Sequence, residues 1–324
     1  MRYVLEGSVR KAGGQLRITG QLIEAATGAH IWAEKLDGPV EDIFDLQDNV
    51  TERVVGAMAP RITGAEIERA KVKRPDSLDS YDHLLQALSV ALPRSVGGLR
   101  TAVAHLEKAI GLAPTYSLAH GLIAECYGAL DMLGFIRSDE AEKGLFHARR
   151  ALELDRDNPE VLTWAAYALS AFDGVAGTIA LTERALALNP NLARAWVIDG
   201  MNRLYLAQHA EALAKFERSL RLNPIDPRNP TTMGGIATVY FLQEKYADAL
   251  KWSEKGLLEN PANLHSLRAM AMTASTTGDH PRAKAASDKL LSLYPRHLDR
   301  IRKMMRQEDF QRIAEALKSA ASAK

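Results

Sequence analysis

One segment type recurs along most of this chain and fixes what it can fold into. It reads "AIGLAPTYSLAH", "ALELDRDNPEVLTW", "ALALNPNLARAW", "SLRLNPIDPRNP", "GLLENPANLHSL" and "LLSLYPRHLDR" in turn. Equivalent positions are Leu112, Leu154, Leu188, Leu222, Glu259 and Leu293, spaced by 42, 34, 34, 37 and 34 residues. A period of this size marks a supersecondary unit that cannot bury its apolar face alone and must stack on its neighbours. The residues between the recurrences are patterned as helices, and the prolines near each recurrence end them. The prediction is about six antiparallel helical hairpins over residues 76–296, the first beginning near Asp79 with "SYDHLLQALSVAL" and "LRTAVAHLEKAIGL".

The clearest unit runs from Ala193 to Asp226, with Trp196 fourth, Gly200 eighth, Ala212 twentieth, Phe216 twenty-fourth and Pro224 thirty-second. Gly200 and Ala212 let two helices approach closely, Trp196 and Phe216 fill the space between units, and Pro224 stops the second helix. Ala124 and Tyr127; Ala166; Ala237, Tyr240 and Ala249; and Ala271, Gly278 and Ala283 repeat the pattern more loosely. This pattern resembles the tetratricopeptide repeat. The 42-residue step reads as a longer loop around "LDMLGFIRSDE" (130–140), and the 37-residue step absorbs "IDP". Beyond Pro295, Leu298, Ile301 and Met305, then Phe310, Ile313 and Leu317, form two apolar stripes on otherwise charged segments. That suits a solvent-facing terminal cap over 297–324.

Residues 1–75 have a different period. Tyr3, Leu5 and Val9 alternate with Glu6, Ser8 and Arg10, which is a half-buried strand. Leu16, Ile18, Gly20 and Leu22 alternate with Gln15, Arg17, Thr19 and Gln21, and "HIWAEKLDG" supplies a third strand. Gly13 and Gly14 suit the first hairpin turn and "ATG" the second. After Pro39 the spacing of Ile43, Gln47, Val50, Val54 and Met58 is helical, with Phe44, Leu46 and Val55 widening the stripe. The expected fold is mainly α: a helical-hairpin solenoid preceded by a small, incomplete α+β module of a three-stranded meander and a helix.

The runs "VLEGSVRK" and "ATGAHIWAE" carry a second resemblance, to the latter half of the TolB-N-like (FlgO-like) module. In bacterial multidomain regulators that module lies between an N-terminal effector, a class III adenylate/guanylate cyclase or a winged-helix domain, and a tetratricopeptide array. The resemblance implies that the first strand's neighbour lies upstream of Met1. An unpaired edge there would offer itself to a second copy.

Little in the sequence points to chemistry. Neither a phosphate-binding G-x-x-x-x-G-K-[ST] nor a G-x-G-x-x-G after a strand occurs, and "GSVRKAGG" belongs to a hairpin. "DRDNP" (155–159) begins like a calcium loop but lacks its glycine and its final glutamate, so it reads as a turn. The nine histidines form no i, i+4 pair, and Cys126, the one cysteine, reads as a small core residue. Glu41, Asp42, Asp45 and Asp48 read as the solvated first turns of a helix. The basic stretches "ERAKVKRP" (68–75) and "RHLDRIRKMMR" (296–306) read as solvated surface. Forty-one basic against 40 acidic residues leave a net charge of +1, giving no pull towards nucleic acid or acidic membranes. No apolar run approaches the roughly 18 residues of a membrane span. The expectation is a cytoplasmic protein with no catalytic residue, metal or cofactor, and no nucleic-acid or membrane partner.

What remains is binding. The tetratricopeptide resemblance implies that the first helix of each hairpin lines a concave face with its second, fifth, ninth, twelfth and thirteenth residues. Here these include Glu125, Thr163, Tyr167, Arg194, Met201, Tyr205, Thr238, Phe241, Arg268 and Met272. Aromatic, thioether and arginine side chains of this kind are enriched at protein interfaces. The expected function is a non-catalytic scaffold whose groove takes a peptide or protein. The alternatives are the regulatory C-terminal portion of an adenylate/guanylate cyclase signalling protein, or that of a winged-helix regulator.

Overall fold

The computed structural model describes residues 2–39, 54, 58, 61–73 and 78–322, the side chain of Leu36 excepted. Strands β1 (Tyr3–Ala12), β2 (Gln15–Glu24) and β3 (His30–Pro39) form an antiparallel sheet in the order β1-β2-β3. Gly13 and Gly14 turn the first hairpin at φ of 56° and 77°, a left-handed backbone that suits residues without Cβ. Leu16, Leu22 and Trp32 are buried. The Trp32 ring lies across Gly20, where a Cβ would come within 2.9 Å of it.

β1 departs from the half-buried strand expected: Leu5 is 51% exposed and Val9 67%. Leu5 pairs with buried Leu22, so the two share a face, but cover ends before the outer strand. The sheet is tied to helix α1 (61–71) through buried Glu66, which accepts from Arg2 Nη1 at 2.6 Å, Tyr3 Oη at 2.7 Å and Arg69 Nη2 at 2.8 Å. Val54 and Met58 are helical as expected. Ile43, Phe44, Leu46, Gln47, Val50, Val55 and the acidic set Glu41, Asp42, Asp45 and Asp48 lie outside the described residues.

Six antiparallel hairpins follow. They are α2 (Ser80–Ala91) with α3 (Val96–Leu112), α4 (Ser117–Met132) with α5 (Glu140–Leu154), and α6 (Pro159–Phe172) with α7 (Ile179–Leu188). Next come α8 (Ala193–Tyr205) with α9 (His209–Leu222), α10 (Asn229–Leu242) with α11 (Tyr246–Glu259), and α12 (Leu264–Thr276) with α13 (His280–Leu293). This is a tetratricopeptide-type solenoid. Helix starts carry their expected signals, including an Asp79–Asp82 capping box on α2 and Asn158 capping α6 just before Pro159. Both long steps in the period are loops, 133–139 and 223–228.

Small residues set the spacing of the helices. A Cβ on Gly200 of α8 would stand 2.7 Å from fully buried Phe216 of α9, and one on Gly234 of α10 would stand 2.6 Å from His265 of α12. Trp196 is half-buried and packs on the cluster of Leu162, Ala185, Leu186 and Ala195 that joins the third hairpin to the fourth, with Nε1 donating to the Pro190 carbonyl at 2.8 Å and Lys215 4.6 Å above its ring.

The C-terminal helices α14 (His297–Met304) and α15 (Gln307–Ser322) do more than cap the last hairpin. Ile301, Met304, Met305, Ile313 and Leu317 are buried. Arg300 forms an ion pair with Asp131 at the end of α4, which corrects its expected place on a solvated basic surface. The Arg306 amide donates to the Tyr205 carbonyl at 3.0 Å, Asp309 meets His209 Nε2 at 2.8 Å, and Arg312 Nη1 donates to the Leu242 carbonyl at 2.8 Å. The end of the chain is thus fastened to the second, fourth and fifth hairpins.

Two predictions follow from this packing. Gly200→Leu forces a branched side chain into Phe216 and is expected to lower stability by about 1–3 kcal/mol. Gly111→Ala, on a helix site with open space around it, is expected to raise it by about 0.5–1 kcal/mol. Urea unfolding of both variants is the check. The second concerns His147 of α5, whose Nδ1 lies 2.8 Å from that of His120 on α4. Burial, and then His120, push the His147 pKa down from 6.5 to about 4. A group lowered on folding stays neutral in the native chain while the unfolded chain takes up a proton, so stability falls as pH drops from about 6.5 to 4. Between those limits the wild type should lose about 3 kcal/mol more than His147→Gln, measured by urea unfolding at pH 7 and pH 4.

Candidate functional site

The first helices of the hairpins line a hollow that the C-terminal helices close on one side. It has a wide mouth of about 650 Å³ and an inner chamber of about 210 Å³, and Arg94 and Arg194 stand in the walls of both. The mouth opens between α1, α2, the starts of α6 and α8, and the 223–228 loop. The chamber lies deeper, between α4, α6, α8 and α12, with Met304 of α14 in its wall.

Charges are concentrated where the two spaces meet. Glu125 of α4 accepts from Arg194 Nε of α8 at 3.1 Å and from Arg94 Nη1 at 3.4 Å. Arg94 also donates to the Tyr167 hydroxyl at 2.5 Å, and both guanidinium carbons lie 5.1 Å from the Tyr167 ring centre. That stacked geometry is favourable for arginine on an aromatic face. Arg94 is held at φ 55°, a left-handed backbone that is uncommon outside glycine. The 223–228 loop adds a second pair: Arg228 donates through Nε at 2.9 Å and Nη2 at 2.8 Å to the two oxygens of Asp226.

Electrostatics follow from this layout. Burial works to raise the Glu125 pKa, but Arg194, Arg94 and Arg228 outweigh it and hold the carboxyl below its ordinary value. Burial likewise opposes ionisation of Asp226, yet Arg228 holds it at about 2. At the far end of α4 the balance reverses. Burial pushes Asp131 up to about 6 despite Arg300.

The expected groove residues separate into three groups. Glu125 and Arg194 line the mouth, while Tyr167, Arg194, Met201 and Tyr205 line the chamber. Arg268 lies behind that wall, buried, with Nη2 donating to His265 Nδ1 at 3.3 Å. Thr163, Thr238, Phe241 and Met272 are buried within the helix packing, and this corrects their expected place on an open concave face. Thr163 and Thr238 donate to the Pro159 and Gly234 carbonyls of their own helices. Phe241 and Met272 belong to the continuous apolar core.

Arg94, Asp226, Arg228 and His265 escaped sequence reasoning. Asp226 had a signal, since it sits in the extra "IDP" of the 37-residue step, and Arg228 follows that insertion directly. Arg94 had none, being a loop residue whose backbone geometry is visible only in the fold. Among the described residues no cluster of histidine, cysteine, aspartate and glutamate is arranged to hold a metal ion.

No protein-family model matches the chain. Over 176 residues, 52% of its length, it is 32% identical to a protein of Rhizobium meliloti (strain 1021) named "Putative adenylate cyclase 3", and it spans 29% of that protein. Among solved structures it is similar to the APC/C hetero-tetramer Cut9–Hcn1, with a TM-score of 0.58 and 12% identity, covering 86% of this chain and 52% of that one. It also resembles PilW, a type IV pilus biogenesis factor, with a TM-score of 0.48 and 21% identity over 72% of this chain and 98% of that one. At such identities the Cut9–Hcn1 likeness speaks for the solenoid fold alone.

Glu125→Gln removes the carboxylate between two guanidiniums and leaves them facing each other in a buried setting. It is expected to cost about 3–5 kcal/mol, because one partner of a buried pair is lost, whereas Glu125→Met with Arg194→Met should cost less than Glu125→Gln alone. Denaturant unfolding of the two variants is the test.

Proposed function

We propose that this chain is a non-catalytic interaction scaffold that receives a peptide or protein segment at the wide mouth of its solenoid. The carrying observation is the make-up of that mouth. Tyr81 and Ile225 stand at its rim, 43% and 54% exposed, and Arg94, Arg194 and Arg228 lie deeper against the carboxylates of Glu125 and Asp226. Three arginines face three carboxylates there, those of Glu125, Asp226 and Glu160 of α6. The mouth is thus balanced in charge beneath an apolar rim, and it favours a largely apolar segment with polar groups to meet the charged floor. We take residues 1–75 as a partial TolB-N-like module, 76–296 as the array and 297–324 as its closing helices. The outer edge of β1, with Leu5 and Val9 exposed, is a second surface suited to adding a strand from another copy. Buried, free Cys126 accords with a cytoplasmic setting. Among the described residues no helix is long and apolar enough to cross a membrane.

A second reading rests on the Rhizobium relative: the chain acts as the regulatory portion of a larger cyclase-type protein, with catalysis belonging to another domain. The two readings are compatible, since a regulatory portion also works by binding.

The test is proximity crosslinking in cells with a photoreactive residue at position 81 or 225. Partners captured there should be lost when Arg228→Glu is added, and a probe at Phe146 on the outer surface of α5 should capture a different set. Identical sets from mouth and outer surface would overturn the mouth as the docking site. Purified chain is expected to turn over neither ATP nor GTP with magnesium or manganese.

A further inference from the structure

The outer edge of β1 is open along its length. Among the described residues β1 pairs only with β2, and every residue from Leu5 to Ala12 is exposed. Two observations fix which way its backbone groups point. The Arg2 carbonyl, just before β1, accepts from the Ala25 amide at 2.9 Å. Ala12 and Gln15 close a two-residue turn through Gly13 and Gly14, so they too are a hydrogen-bonded pair. Even-numbered residues of β1 therefore aim their amides and carbonyls at β2. Tyr3, Leu5, Gly7, Val9 and Lys11 aim theirs outward, a row of donors and acceptors open to another strand.

The same edge carries charges of both signs. Among the described residues Glu6 accepts only from the neutral amide of Gln21, at 2.9 Å, and Arg10 has no ion-pair partner. The two stand on either side of Ser8. An antiparallel copy of β1 with its two-fold axis at Ser8 places Glu6 of each copy directly opposite Arg10 of the other. In that register Val9 lies opposite Gly7, where the missing side chain leaves room, and diagonal to Leu5 of the other copy. Exposed apolar residues then meet on one face and opposite charges on the other. An axis at Glu6 would set two like charges against each other. An axis at Gly7 would leave Arg10 opposite Val4 and Glu6 opposite Ser8.

We propose that two copies of this chain pair through β1, antiparallel about Ser8, and join their sheets edge to edge. The proposal rests on the reading of the β1 edge given above and adds the register and the contacts that fix it. No residue of β1 lines the mouth or the chamber, so it stands apart from docking at the mouth.

Light scattering of the full chain tests it and should give the mass of a dimer. Arg10→Glu, which sets acid against acid twice, should give a monomer at the same concentration. Glu6→Arg combined with Arg10→Glu exchanges the charges and should restore the dimer. Ser8→Cys should give a disulfide-linked dimer on mild oxidation, because facing residues of a non-hydrogen-bonded pair lie about 4.5 Å apart at Cα. Cys126 is buried and does not compete. Val9→Pro removes one outward amide and no bond to β2, and should also give a monomer. A wild type that stays monomeric overturns the pairing altogether. A dimer that Val9→Pro dissociates, but that ignores the charge changes and leaves Ser8→Cys reduced, keeps strand addition and overturns this register. A dimer that ignores Val9→Pro as well forms elsewhere and overturns both.

Discussion

The contact between Glu125 and Arg194 joins residues 69 positions apart in sequence and spans from the second hairpin to the fourth. A carboxylate and a guanidinium withdrawn from water are tolerated only where each meets the other, so the distance between α4 and α8 has little latitude. Tyr167, from the hairpin between them, fills the remaining space as the face on which both Arg94 and Arg194 stack. The curvature of the solenoid is thereby fixed in its middle by charge as well as by apolar packing. Helix α4 also carries Asp131, which engages Arg300 from the C-terminal helices. One helix therefore holds both the polar centre of the hollow and the fastening that closes its side.

The local plan of the fold was readable in the sequence because each repeat obeys short-range rules. Caps, prolines and small residues act within a unit or between adjacent units, and Gly200 against Phe216 is such a case. The closure was not readable. Curvature accumulates from small rotations between repeats, and no pattern in a single unit reveals where the last will arrive relative to the second. Arg300 was therefore assigned to a solvated basic surface, and Phe241, Met272, Thr163 and Thr238 to an open groove that the fold fills. The strands of the N-terminal sheet were legible from their alternation, but the exposure of Leu5 and Val9 was not, since alternation says which residues share a face and not whether that face is covered.

The two irregular steps in the period carried more information than the regular ones. The loop of the 42-residue step places Gly134 against Arg296, where the C-terminal segment returns. The loop of the 37-residue step places Asp226 and Arg228 beside the mouth. A stretch that breaks a repeat has no duty to the stacking of its neighbours and is free to do something else. In this chain those stretches supply a seat for the returning C-terminal segment and part of the charged floor.

Fastening the end of the array to its earlier hairpins alters its modularity. An open solenoid tolerates the gain or loss of a unit, because each unit answers only to its neighbours. Here the removal of any hairpin between the second and the last would carry Arg300 away from Asp131, and loss of the sixth would also carry Asp309 and Arg312 away from His209 and Leu242. The span from the second hairpin to the C-terminal helices is thus fixed by contacts at both of its ends. Within that span a unit gained or lost breaks a long-range contact, so these hairpins are coupled beyond their nearest neighbours.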